Sequence, residues 1–265
     1  LYEGSGVSAV NYANTIYSII VGVFVLSIAN VIFPRLSRMS IDNDKENFGN
    51  TISATLEAMA FLIIPMTLGL MVLSSPVISI IYERGKFDSF AVEITSKALF
   101  YFSLGMPGFG IQNILSRAFY AKQNGKMPLI SGIVSIGINI VLCVLLVGKM
   151  DVGGLALASA LSQTVAALML IIPMQRENKI INKKLITEII KMTAAAIIMA
   201  LAAVFIRNYV YSLLGKGYII NIIVAALSAA GGIIVYGICS LIFKINSMKL
   251  IISMALKIIK RGGNS

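Results

Sequence analysis

The stretch NYANTIYSIIVGVFVLSIANVIFPRLSR, residues 11–38, decides how the chain is read. No charged side chain occurs between Glu3 and Arg35, and the run closes on Pro34, Arg35 and Arg38. A bilayer core about 30 Å thick is crossed by roughly 20 apolar residues rising about 1.5 Å each, so the run predicts a transmembrane helix with room for tilt. Polar residues interrupt it at Asn11, Asn14, Thr15, Ser27 and Asn30, on the side where Tyr12 and Tyr17 are also expected. Asn11 is three residues from Asn14 and four from Thr15, spacings that bring side chains together on a helix. Amides left unpaired in hydrocarbon are costly, so this face must meet protein or water. Two readings stay open: contact with a neighbouring helix, or the lining of a polar cavity.

The whole composition agrees with a membrane. The 265 residues are 58% hydrophobic and 12% charged, with a mean hydropathy of +0.90, whereas about a quarter of a soluble domain is charged. The fold class expected is an all-α integral membrane protein. The net charge of +11 is spread between apolar runs and does not form one basic patch with stacking aromatics, which excludes nucleic acid as a partner and favours anionic lipid headgroups. There is no histidine, and Cys143 and Cys239 lie inside apolar runs as small hydrophobes. The triplet Asp42-Asn43-Asp44 has no acid/base companion. No catalytic residue, metal site or cofactor is therefore expected, and no enzyme. The chain opens on Leu1, with no basic segment followed by an apolar one, and is expected to belong to a longer protein.

Read in order, the chain predicts seven spans. The second is free of charge between Glu57 and Glu83 and contains Pro65 and Gly69. A proline there removes one backbone hydrogen bond, which a neighbour must supply, and suggests a kink. The third lies between Lys97 and Arg117 and carries GMPGFG at its centre, with Gly105, Pro107, Gly108 and Gly110 as a candidate hinge. Broken helices mark many transporter sites, yet glycine and proline are also common in membrane helices for packing. The fourth span covers 129–147 and the fifth ends near Pro173. Residues 176–191 are basic and partly amphipathic, a linker expected along the membrane surface. The sixth and seventh spans fall within 192–243, with Arg207 expected to snorkel to the interface. Residues 244–265 read as an interfacial tail, with Lys249, Lys257, Lys260 and Arg261 among apolar residues.

Sixteen of the 22 Lys and Arg residues fall in one alternate set of loops and six in the other. The basic set belongs in the cytoplasm, so the start is expected outside and the tail inside.

Two blocks, SAVNYANTIYSIIVGVFVLSIANVIFPRLSR at 8–38 and SRAFYAKQNGKMP at 116–128, resemble the MurJ (MviN) family of lipid II flippases over nearly the whole chain. The resemblance implies the second half of a fourteen-helix transporter of the MATE-like/MOP superfamily in the bacterial cytoplasmic membrane. Residues 1–175 would be helices eight to twelve of the second lobe, and 192–243 two additional C-terminal helices. The missing N-terminal lobe would complete a central cavity for an undecaprenyl-linked lipid substrate. Asn11, Asn14, Thr15 and Asn30 would then line that cavity, with Asn14 and Thr15 standing where many members carry an acidic residue and an arginine. Relatives in the superfamily keep other functions open: polysaccharide or O-antigen flipping, or cation-coupled multidrug export. A coupling-ion site normally needs a buried carboxylate, and none lies at mid-depth in these spans. A membrane scaffold without transport remains if the polar face of the first span is packed against a neighbour.

Overall fold

The computed structural model describes residues 5–215 and 217–248. Leu1, Lys216 and most of the expected tail, including its basic residues from Lys249 onward, lie outside the described residues. The first apolar run, Gly6–Ile41, folds as α1 (Ser5–Val21), a π-helical turn at Gly22–Leu26 and α2 (Ser27–Ile41). That turn holds one residue more than an α-turn, so it rotates α2 relative to α1 by about 100°. In a straight helix Asn30 would sit about 100° away from Asn11; the extra residue turns it back toward the same face.

α3 (Lys45–Tyr82) starts where Asp44 accepts the backbone N–H of Asn47 at 3.2 Å, so the aspartate triplet serves a helix boundary. α4 (Ser89–Leu104) is capped in the same way by Asp88, which accepts from Ala91 at 2.9 Å. Gly105 alone separates α4 from α5 (Met106–Ala121), and the third span is thus two 16-residue halves. α6 (Lys126–Met150), α7 (Val152–Asn178), α8 (Lys183–Leu214) and α9 (Tyr218–Ile242) complete the chain. Among the described residues, six helical stretches are long and apolar enough to cross a membrane; α4 and α5, which occupy the expected third span, are each shorter than that.

The amphipathic segment expected at 176–191 does not form a separate surface element. It is divided between the end of α7 and the start of α8, and only residues 179–182 are non-helical. Ile180 is fully buried there. Gln175 holds the backbone of Ile181 from both sides, accepting its N–H at 2.6 Å and donating to its carbonyl at 3.1 Å. Asn182 then caps α8 through the N–H of Leu185.

The helices pack around two cores. The larger joins α1–α5 and α7, around Phe48, Ile52, Leu99, Ile114, Phe119 and Leu170. A smaller one, built on Phe61, Met192, Met199 and Tyr236, fixes α8 and α9 to α3. α6 packs mainly on α7 and exposes Ile133, Ile136, Ile140 and Val144, as a peripheral helix in lipid would.

Candidate substrate-facing site

α1 is buried on one face and open on the other. Ala9, Ala13, Ile16, Tyr17 and Val21 pack into the larger core, while Asn11, Asn14, Thr15 and Ser18 are exposed. The Thr15 hydroxyl donates to the carbonyl of Asn11 at 2.8 Å; the amides of Asn11 and Asn14 have no hydrogen-bond partner among the described residues. The expected trio therefore shares a face, and no described helix of this chain covers it. Ser18, one turn further on, belongs to the same polar stripe and was recognisable by the same spacing. Asn30 is exposed too and accepts a hydrogen bond from Arg117 of α5 at 3.1 Å, with that guanidinium 6.0 Å from the Phe33 ring.

Tyr17 does not share this face, whereas Tyr12 is exposed at its edge. Tyr17 lies about 240° around the helix from Asn11; its hydroxyl donates to Oε1 of Gln163 on α7 at 2.7 Å. Tyr12 meets the Tyr82 ring at a tilt and the Phe87 ring edge-on, with ring centres 4.7 and 5.7 Å away.

The glycines of the third span are contact points. A Cβ on Gly105 would lie 2.9 Å from Cα of Ala160, and one on Gly108 would lie 2.9 Å from the backbone of Thr164, both on α7. At Gly110 the neighbour is the flexible thioether of Met59. Pro107 sits in the first turn of α5, where its missing N–H removes no intrahelical bond.

An apolar cavity of about 410 Å³ opens between α3, α8 and α9. Pro65, Gly69 and Leu73 line it from α3, Met199 from α8, and Gly232 and Tyr236 from α9, with Ile20 of α1 in its wall. Arg207 lies beyond this cavity, where it bonds to the backbone of α3 at 2.9 Å and does not extend freely to an interface. A second crevice, about 550 Å³ between α2 and α3, is more polar and contains Ser27, Arg35, Asn47 and Asn50. Its polar contributors from α3 precede the apolar run, so the hydropathy pattern did not mark them. Glu188 at the base of α8 is 3% exposed; it pairs with Lys191 at 2.9 Å and accepts the N–H of Asn246.

A sequence profile of the family described as "Lipid II flippase MurJ" matches residues 1–228. The lipid II flippase MurJ of Thermosipho africanus is 34% identical over 160 residues, 60% of this chain and 33% of the relative. The probable lipid II flippase MurJ of Thermotoga maritima is 27% identical over 250 residues, 94% of this chain and 48% of the relative. A solved structure titled "Lipid II flippase MurJ, inward closed conformation" aligns with a TM-score of 0.71 at 30% identity, over 90% of this chain and 47% of that one. The chain thus spans between a third and a half of the length of these relatives.

Proposed function

The chain belongs to the MurJ family of lipid II flippases, and we propose that it forms the second lobe of a transporter moving an undecaprenyl-diphosphate-linked peptidoglycan precursor to the outer leaflet. In this reading 1–175 supplies family helices eight to twelve, 192–243 supplies the last two, and a first lobe elsewhere in the protein closes the cavity. The protein resides in the bacterial inner membrane, with the basic loops and the C-terminus facing the anionic cytoplasmic leaflet.

One observation carries the proposal. The same lobe presents an uncovered polar face on α1 and an apolar cavity between α3, α8 and α9, whose wall includes Ile20 of α1. A substrate with a sugar–diphosphate head and a polyprenyl tail needs both surfaces. Amides and a hydroxyl at Asn11, Asn14 and Thr15 hydrogen-bond sugar hydroxyls or phosphate oxygens without placing a charge in the membrane. Ionic attraction for the diphosphate then comes from basic residues of the first lobe.

The test uses the full-length protein with Asn14→Leu and Thr15→Val together. Growth of a flippase-depleted strain is lost while membrane insertion is retained. Growth equal to that of the unmodified protein, at normal expression, overturns the assignment of this face to the substrate.

A further inference from the structure

Each proline inside a helix deprives the carbonyl four residues earlier of its donor. In α3 these carbonyls belong to Phe61, opposite Pro65, and Val72, opposite Pro76. Both are taken up by side chains from the last two helices. The Tyr236 hydroxyl of α9 donates to the carbonyl of Phe61 at 2.9 Å, and Nη1 of Arg207 on α8 donates to the carbonyl of Val72 at 2.9 Å. The rings of Phe61 and Tyr236 also meet, 5.4 Å between centres.

The two acceptors are eleven residues apart along α3, about 16 Å. The α3 residues lining the apolar cavity run from Phe61 to Val77, and Leu62, Pro65, Met66, Gly69 and Leu70 among them lie between the two acceptors. Opposite, the cavity ends at Ala203, one turn before Arg207, and at Tyr236 itself. Elsewhere the α8–α9 pair meets α3 through Met192, Ala195, Ala196 and Met199, apolar contacts that gain no hydrophobic driving force in a hydrocarbon solvent and set the register less sharply. Hydrogen bonds to single carbonyls do fix it. Near the start of α9, Asn221 adds a bond to Ser79 at 2.6 Å, while beyond the Phe61 end the bonds from Ser247 to Glu57 and from Asn182 to Ser53 are long, 3.4 and 3.5 Å, so Tyr236 makes the short bond at that end.

We infer that Tyr236 and Arg207 are positioning residues: they fasten α8–α9 to the two proline-freed carbonyls of α3 and thereby set the width of the apolar cavity. That the cavity holds a polyprenyl tail rests on the function proposed above; the fastening does not.

The experiment is a double-mutant cycle in the full-length protein, Tyr236→Phe with Pro65→Ala. Alanine at 65 restores the N–H that closes on Phe61, so the hydroxyl loses its task while the ring stays. Tyr236→Phe alone lowers Tm by about 2–4 °C, the scale of one buried hydrogen bond in a chain of this size, and widens the α3–α9 distance distribution between spin labels. With alanine at 65 the same substitution changes neither. Equal effects in both backgrounds, or no effect with Pro65 present, overturn the inference. If Pro65→Ala does not fold, Arg207→Gln with Pro76→Ala is read by the same criteria. Neither readout depends on transport, so failure of the cycle and failure of the complementation test are distinct results.

Discussion

Tyr17 of α1 donates its hydroxyl to Gln163 of α7 at 2.7 Å, and its ring lies between Phe102 and Phe109, 5.6 and 6.4 Å from their centres. Those two phenylalanines stand on either side of Gly105, the residue that separates α4 from α5. One buried tyrosine therefore joins the first span, the broken span and α7. Because this face of α1 is fixed, the opposite face, with Asn11, Asn14 and Thr15, is directed away from the lobe. Gln163 also sits where a side chain on Gly105 would go, 3.0 Å from the position of its Cβ.

Removing only the hydroxyl tests that junction. Tyr17→Phe keeps the aromatic contacts and leaves the Gln163 carbonyl without its partner, a loss of about 1–3 kcal/mol. Tyr17→Ala removes the ring as well and costs about 3–5 kcal/mol. Thermal unfolding of the purified full-length protein gives the order unmodified, phenylalanine, alanine. A phenylalanine variant as stable as the unmodified protein shows that the bond to Gln163 does not hold α1.

The polar face of α1 was legible because it depends on nothing beyond helical spacing: Asn11, Asn14 and Thr15 keep their relation whatever packs nearby. The fate of Tyr17 was not, since its partner is 146 residues away and only tertiary packing brings the two together. The partner of Arg207 was hidden for a related reason. The place of this arginine near the end of a span suggested water, but Pro76 on another helix leaves a carbonyl at Val72 that the guanidinium satisfies. Ile180 and Ile181 fitted an amphipathic surface pattern, yet the turn between α7 and α8 buries Ile180 and pins Ile181 through Gln175. The need for a partner opposite Pro65 could be read from the sequence; that Tyr236 supplies it could not.

Topology is tested at Asn124, in the turn between α5 and α6. This turn lies among Arg117, Lys122 and Lys126, on the basic side of the chain. In the full-length protein, a cysteine at 124 is labelled by an impermeant thiol reagent only after the cells are opened. Labelling in intact cells reverses the orientation.

The glycines of the third span separate two roles that the sequence left open. Intrinsic helix propensity favours alanine over glycine by about 1 kcal/mol, so a glycine used only for hinge motion would give up activity on replacement while the fold gained stability. The geometry requires a different outcome. At Gly105 and Gly108 the new methyl would lie 2.9 Å from backbone atoms of α7, and a backbone held in a helix yields only if the whole helix shifts. At Gly110 the obstacle is the end of the Met59 side chain, which turns aside through a rotamer change. Gly105→Ala and Gly108→Ala therefore each destabilise by about 1–3 kcal/mol through overpacking, whereas Gly110→Ala stays within about 1 kcal/mol of the unmodified protein. Folded yield and Tm of the three single variants, measured beside their complementation of a flippase-depleted strain, separate the roles. Loss of activity in proportion to loss of stability at 105 and 108 assigns these glycines to the α5–α7 contact. Loss of activity with Tm unchanged or raised means that the break at Gly105 moves during transport, and the close approach to α7 is then one position of a working hinge.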